Sequence, residues 1–185
     1  MTSDSDETDT LGDRVVDASI AMDADRFMRT MIRDLSGTLQ DTIGEKNARG
    51  FVSVVGARMG DRFNELYRRA LGETRLSRIT VARVLVDLKR RIGGDFYIIE
   101  ESDEKIVLGN RACPFGAHVK DRPSLCMMTS NVFGRVAAEN LGYAKVNIEK
   151  SIAAGNDGCR VVVYLNYHGE AESAVGHEYF RVEDS

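Results

Sequence analysis

The chain of 185 residues contains no tryptophan, only two prolines and only three cysteines. Three is an odd number, and no apolar export signal precedes them. We therefore expect free, buried or metal-bound cysteines in a reducing cytoplasm rather than a disulfide framework. No apolar run approaches the roughly 20 residues that a membrane helix needs. No proline-rich or Gly/Ser-rich linker divides the chain, and its length is typical of one domain with a real core.

Positive charge is also scarce. The chain has 29 acidic residues against 25 basic ones, which gives a net charge of −4 at pH 7. This balance argues against a protein that coats nucleic acid through bulk charge. Acidic and hydroxyl residues dominate residues 1–20, which we expect to form a flexible arm. The remaining pattern predicts a single domain over residues 21–170 and a polar tail over residues 171–185.

Hydrophobic periodicity predicts the order of the secondary-structure elements, because apolar residues recur every three or four positions in helices and alternate in strands. The predicted elements are helices over residues 23–44, 51–71 and 77–92, strands over 95–100 and 105–109, a helix over 124–141, and strands over 144–148 and 160–167. This order predicts an α+β fold in which the N-terminal helices pack on an antiparallel sheet.

The three cysteines are the strongest candidates for chemistry. Cys113 lies in the loop before the fourth predicted helix, Cys126 in the first turn of that helix, and Cys159 at the start of the last strand. Thiolates are the ligands that zinc and iron–sulfur clusters need. We expect Cys126 to be a thiolate, because a helix N-terminus lowers the pKa of a thiol. The spacing includes no C-x-x-C pair, however, and by itself is more typical of ordinary buried cysteines.

Motifs for catalysis are missing. No helix carries an H-E-x-x-H pair, and no serine sits in a G-x-S-x-G turn. The segment Gly56-Ala57-Arg58-Met59-Gly60 lacks the Lys-Ser/Thr of a phosphate loop and falls inside a helical pattern. The sequence therefore predicts a protein without enzymatic activity.

The residues around the cysteines form a more specific pattern. They read Cys113-Pro114-Phe115-Gly116, then Pro123-Ser124-Leu125-Cys126, then Ser151-Ile152-Ala153-Ala154-Gly155-Asn156-Asp157-Gly158-Cys159. This pattern resembles the C-terminal sensor half of the iron–sulfur-responsive repressors that control cluster-assembly operons. The resemblance implies that Cys113, Cys126 and Cys159 bind an iron–sulfur cluster, whereas the fourth cysteine of that family falls on Ser151.

The serine at position 151 leaves the fourth ligand open. Ser151 itself, His118 and Glu149 are the candidates within the sequence, and an exogenous ligand is a further option. A different cluster type or a zinc ion is the alternative cofactor. His118 is better explained as an exposed loop histidine than as a ligand.

A wider stretch, about residues 23–167, resembles the vinyl-reductase-type ligand-binding domain. The variant that it resembles most is the methanogen output domain of prokaryotic signalling proteins. The features that carry this resemblance are the helix with Gly56 and Gly60, the hairpin at 95–109, and the strand start over 155–160. The resemblance implies a sensory module more than an enzyme, although some relatives take part in chlorophyll biosynthesis.

Three hypotheses follow. The first is a cytoplasmic sensor whose three cysteines hold an iron–sulfur cluster that responds to redox state or oxygen, with a signalling partner protein or a homodimer carrying the signal. The second is a sensor of apolar small molecules, with structural zinc and a pocket between the second helix and the sheet that uses the room left by Gly56 and Gly60. Tight helix packing is the simpler explanation of those two glycines.

The third hypothesis is a winged-helix regulator that binds DNA. Arginines around residues 75–83 would contact phosphates, and the hairpin at 95–109 would be the wing. Four acidic residues lie in that wing, at Glu100, Glu101, Asp103 and Glu104. Because these would repel DNA, nucleic acid is the least favoured partner.

Overall fold

The computed structural model describes residues 14–182, in which helices pack on one five-stranded sheet. The elements are α1 (Ala24–Ile43), α2 (Glu45–Leu71), α3 (Arg78–Arg91), β1 (Phe96–Glu101), β2 (Lys105–Asn110), α4 (Cys126–Leu141), β3 (Tyr143–Lys150), β4 (Cys159–Tyr164), α5 (Glu170–Ser173) and β5 (His177–Phe180). Short 3-10 turns lie at Gly116–Val119, Pro123–Leu125 and Ile152–Ala154. The predicted α+β class is confirmed.

The predicted N-terminal arm lies largely outside the described part of the chain. Residues 1–13 are not described, and residues 14–20 are exposed. Within residues 14–182, no helix has a stretch long and apolar enough to cross a membrane.

Polar caps and one glycine determine where the first three helices begin. The side chain of Asp23 accepts a hydrogen bond from the backbone N–H of Arg26, and Ser77 caps α3 in the same way through Thr80. Gly44 has a φ of 80°, which ends α1 and allows the chain to turn directly into α2. Helix α2 therefore begins at Glu45, six residues before the predicted start, because the single glycine turn needs no longer loop.

The strand order β1-β2-β4-β3-β5 is antiparallel throughout. Strand β2 pairs with both β1 and β4, so the hairpin of β1 and β2 is part of the sheet and not a free wing. Arg78 forms ion pairs with Glu101 and Asp103 of this hairpin, and Arg83 pairs with Glu101. The arrangement differs from the winged-helix hypothesis, because these arginines face the hairpin's own carboxylates.

Helices α3 and α4 cover one face of the sheet and form the main core with it. Phe133 of α4 is fully buried and packs edge-to-face against Phe96, with ring centroids 5.5 Å apart. The short helix α5 covers part of the opposite face, where Ala171 packs with Val107 and Val162. The middle strands are therefore buried on both faces.

The C-terminal segment is not only a polar tail. Residues 177–180 form β5, which pairs with β3 at the edge of the sheet. Its Tyr179 lies against Gly134 of α4, where a Cβ would meet the tyrosine ring at 2.1 Å. The Tyr179 hydroxyl also lies 2.9 Å from the Ser130 hydroxyl. The prediction of a tail over 171–185 missed this strand, because its few apolar residues contact the neighbouring helix rather than each other.

Helix α2 packs on the other side of α4, and its two glycines lie at the contact. A Cβ on Gly56 would come within 2.9 Å of the Asn131 Cβ, and one on Gly60 within 2.7 Å of the Arg135 Cβ. The structure thus assigns these glycines to close helix packing. The pocket expected beside Gly56 and Gly60 is not there, because α4 occupies that space.

Gly60→Ala should lower the free energy of unfolding by about 1–3 kcal/mol, because the added methyl group forces two packed backbones apart. Gly50→Ala on the same helix is the control, since nothing lies within 4 Å of its Cβ position. That variant should raise the free energy of unfolding by roughly 0.5–1 kcal/mol through helix propensity alone. Urea unfolding measures both changes. Equal stability of the two variants would contradict close packing at Gly60.

Candidate functional site

The three cysteines line one small cavity of about 30 Å³ between the sheet, α4 and the segment 111–125. Cys126 is the first residue of α4 and Cys159 the first of β4, whereas Cys113 follows β2 in the connecting segment. The cavity is also lined by Phe96, Asn110, Pro114, Phe115, Val119, Leu125, Thr129, Ile148, Ser151, Ile152, Ala153 and Val161. Its volume is about that of one water molecule.

The segment that carries Cys113 is held against the end of α3. The backbone N–H of Asp95 donates to the Ala112 carbonyl at 3.0 Å, and Arg111 returns a bond of the same length to Asp95. A Cβ on Gly94 would lie 2.9 Å from the Cγ of Pro114, so glycine lets this proline approach. Local backbone bonding therefore places Cys113 at the cavity wall.

Asn110 positions Cys159 from the neighbouring strand. The two residues pair across β2 and β4, and the Asn110 side-chain amide donates to the Cys159 sulfur at 3.6 Å. Gly158 precedes Cys159, and a Cβ there would lie 2.8 Å from the Asn110 carbonyl oxygen. Asn110 is 3% exposed, so this amide is a buried donor directed at a thiol.

Burial dominates the acidity of the thiols. It raises the pKa of Cys126 to about 11, although a hydrogen bond from Ser151 acts in the opposite direction. Burial also raises the pKa of Cys113. The sequence-based expectation of a low pKa for Cys126 is wrong, because the cost of burying a thiolate exceeds the effect of the helix N-terminus. Without a cationic occupant, these two thiols are protonated at neutral pH.

Lys89 of α3 is the residue of this site that the sequence reasoning missed. Its Nζ donates to the Thr129 hydroxyl on the cavity wall at 2.8 Å, and the residue is 3% exposed. Burial lowers the pKa of Lys89 to about 8, whereas negative charge on Cys113, Cys126 or Cys159 raises it. All three thiols are therefore within electrostatic reach of one buried ammonium group.

A signal for Lys89 was present in the sequence. Val81, Leu85 and Lys89 are spaced four residues apart, so the lysine continues the buried stripe of α3. Lysines near the C-terminus of a helix are typical of solvent-exposed positions that complement the helix dipole, and this is the position that Arg90 and Arg91 occupy.

Of the three candidate fourth ligands, only Ser151 lies on the cavity wall. Ser151 is 9% exposed, and its hydroxyl also accepts from the backbone N–H of Ala154 at 3.2 Å. His118 uses its carbonyl to accept a bond from Arg33, and its side chain does not line the cavity. Glu149 is exposed and pairs with Arg160 at 2.7 Å.

The donor set matches a cluster better than a single ion. Over residues 14–182, no group of three or more His, Cys, Asp or Glu side chains is arranged around one metal ion. Three thiols do share one cavity with a buried cation beside them. Thiols around a cluster stand further apart than thiols around one ion, and an anionic thiolate-ligated cluster needs compensating charge.

A second pocket of about 200 Å³ adjoins the cavity. Cys126 and Ser151 line both spaces and so form the wall between them. Arg49 and His177 also line the outer pocket. This pocket gives solvent or a small anionic molecule a path to the Cys126 thiol and to the Ser151 position.

An apolar groove of about 370 Å³ runs between α1 and α2 on the other side of the segment 111–125. It is lined by Ile32, Leu35, Ser36, Leu39, Phe51, Val52, Val55, Phe115, Leu125 and Met128. Phe115 and Leu125 also line the cysteine cavity. The two sites therefore share a wall, and that wall is the segment 111–125.

Comparison with solved structures shows that this fold occurs elsewhere. The phenol-responsive sensory domain of the transcription activator PoxR, crystallised with phenol, aligns with a TM-score of 0.61 at 13% identity, over 77% of this chain and 76% of that one. Subunit 3 of a trafficking protein particle complex from Naegleria fowleri, covalently bound to palmitic acid, aligns with a TM-score of 0.52 at 14% identity, over 76% of this chain and 96% of that one. At these identities the likeness concerns the fold alone.

Sequence comparison gives one family. The model of the family described as methanogen output domain 1 matches residues 31–164. No curated protein matches the chain. The matched residues include α2, α3, the three cysteines and the first four strands.

The thiol of Cys126 should react slowly with iodoacetamide until the pH approaches 11, because only the thiolate is alkylated and burial raises its pKa. The measurement is a rate profile from pH 7 to 11 on metal-free protein with Cys113 and Cys159 replaced by Ala. The same variant in urea is the control, with the ordinary thiol midpoint near 8.5. A folded-state midpoint below the unfolded one would contradict this assignment.

Proposed function

Because the chain belongs to the methanogen output domain 1 family, we propose that it is a non-enzymatic signalling domain whose responsive site is the three-cysteine cavity. The observation that carries this proposal is the convergence of Cys113, Cys126 and Cys159, from three separate segments, on one space beside Lys89. A merely structural use of three buried cysteines requires neither a shared cavity nor a neighbouring buried cation.

The proposed cofactor is an iron–sulfur cluster held by Cys113, Cys126 and Cys159. Such a cluster supplies a group that changes charge with redox state and is sensitive to its surroundings. Asn110 would orient Cys159, and Ser151 would lie at the fourth position, open to the outer pocket. An exogenous ligand that enters through this pocket is the alternative fourth donor.

Occupation of the site is coupled to the position of the segment 111–125. The cavity of about 30 Å³ is too small for a cluster, so the segment moves outward when the site is filled. Cys113 ties the segment to α4 and β4 only while the occupant is bound, and loss of the occupant releases it. The signal is then a change in the position of this segment.

Helix α1 is placed to carry that change to a partner. Arg33 of α1 donates to the carbonyl oxygens of His118 at 2.6 Å and Lys120 at 2.9 Å. Ser36 lies 3.1 Å from the hydroxyl of Ser124 in a buried contact. On its outer side α1 exposes Phe27, Met31 and Leu35. A signalling partner protein or a second copy of the chain would read this apolar surface.

Cys113→Ala, Cys126→Ala and Cys159→Ala should each lose most of the iron and acid-labile sulfide after anaerobic reconstitution, because each removes one of three thiolate ligands. His118→Ala and Glu149→Ala are the controls and should retain wild-type content, since neither side chain lines the cavity. Visible absorption with iron, sulfide and zinc analysis measures the outcome. Full iron and sulfide in all three cysteine variants would contradict the proposal, and one zinc with no sulfide would favour a structural zinc site.

The apolar groove between α1 and α2 supports a second candidate function, the sensing of an apolar small molecule. Its lining is aliphatic and aromatic, and a ligand bound there would contact Phe115 and Leu125 of the segment 111–125. The two structural neighbours carry phenol and palmitic acid, which are apolar or aromatic ligands of those proteins. In this candidate the same segment would respond, but from its other side.

Val55→Asp should weaken binding of the fluorescent probe N-phenyl-1-naphthylamine about tenfold or more, because it places a charge in the groove. Val54→Asp is the matched control, since Val54 is similarly exposed (56% against 50%) but does not line the groove. Fluorescence titration compares the two variants with the wild type. Equal binding by both variants, or no saturable binding by the wild type, would count against this candidate.

A further inference from the structure

Lys89 is a buried cation without a carboxylate partner. The residue is 3% exposed in the last turn of α3. Its Nζ donates to the neutral hydroxyl of Thr129 at 2.8 Å and lies 5.5 Å and 5.3 Å from the ring centroids of Phe96 and Phe133. Among residues 14–182, the charged groups that act on it are the three thiols of the cavity.

This environment is unfavourable for a lysine unless an anion is nearby. Removing an ammonium group from water costs several kcal/mol, even after local relaxation. One hydroxyl and two aromatic faces offset only a part of that cost. When the thiols are neutral, nothing else at the site supplies negative charge, so the compensating anion arrives with the occupant of the cavity.

Lys145 shows how the same chain accommodates a buried lysine elsewhere. It is 7% exposed, and its Nζ donates to the Ala171 carbonyl at 2.8 Å and lies 3.6 Å from a carboxylate oxygen of Glu178. This lysine has its partner within the fold. The difference between Lys145 and Lys89 is therefore the missing carboxylate at the cysteine cavity.

We infer that Lys89 is the charge-compensating residue of the cysteine cavity and makes it selective for an occupant with net negative charge, such as a thiolate-ligated cluster. This inference rests on the proposed function for the identity of the occupant. The role of Lys89 toward the thiols themselves does not depend on it. Lys89 is a positioning residue, since it acts on the thiolates and is not a ligand.

The test compares Lys89→Met with Lys89→Arg and with Lys145→Met. In metal-free protein, Lys89→Met should slow alkylation of the cavity thiols by iodoacetamide at pH 7.5 by roughly three- to tenfold, which corresponds to about half to one pKa unit. Its midpoint of urea unfolding should stay unchanged or rise, because an unpaired buried charge is removed. Lys145→Met should leave alkylation unchanged and lower the midpoint, since Glu178 loses its partner.

Reconstitution provides the second readout. Lys89→Met should retain at most about a third of the wild-type iron and sulfide, and Lys89→Arg should recover most of the difference because it keeps the charge. Unchanged thiol reactivity together with a lower unfolding midpoint in Lys89→Met would overturn the inference and make Lys89 a structural strut. If the wild type takes up no cluster while the alkylation difference persists, the proposed function fails and charge compensation by Lys89 stands.

Discussion

The burial of helix α4 on nearly all of its sides is the constraint on which the rest of the structure depends. The sheet and α3 cover one side, α2 approaches the other at Gly56 and Gly60, and Tyr179 lies over Gly134. A closely packed interior resists even small changes of volume. The N-terminus of α4 is therefore held in place, and Cys126 is held with it at the junction of the cavity, the outer pocket and the segment 111–125.

Burial acts in opposite directions on the two kinds of titratable group at this site. It raises the pKa of Cys113 and Cys126 and lowers the pKa of Lys89, so that it favours the neutral form of each. Thiolate and ammonium stabilise each other, and they form together when a suitable occupant arrives. In the proposed function, this coupling links the charge of the site to the position of the segment 111–125, and through Arg33 to α1.

Much of the fold was predictable from the chain, because its periodicity is local. Helices α1 and α3 and both hairpins were predicted within a few residues, and the cysteines were correctly placed at the ends of elements. The strand β5 was not predicted, because Tyr179 becomes an interior residue only where α4 offers Gly134. Lys89 was missed for a related reason. A lysine near the end of a helix is usually exposed, and only the packing of α3 against Thr129 and Phe133 buries it.

The amino-acid sequence by itself determined the α+β class, the order of the elements and the three thiols as the chemical centre, because these follow from residue type and short-range spacing. The tertiary structure decided the use of Gly56 and Gly60, the choice of Ser151 over His118 and Glu149, and the charge beside the thiols. Each of these depends on which distant segments meet. Burial and electrostatic interaction are properties of the assembled environment, and no single stretch of the chain contains them.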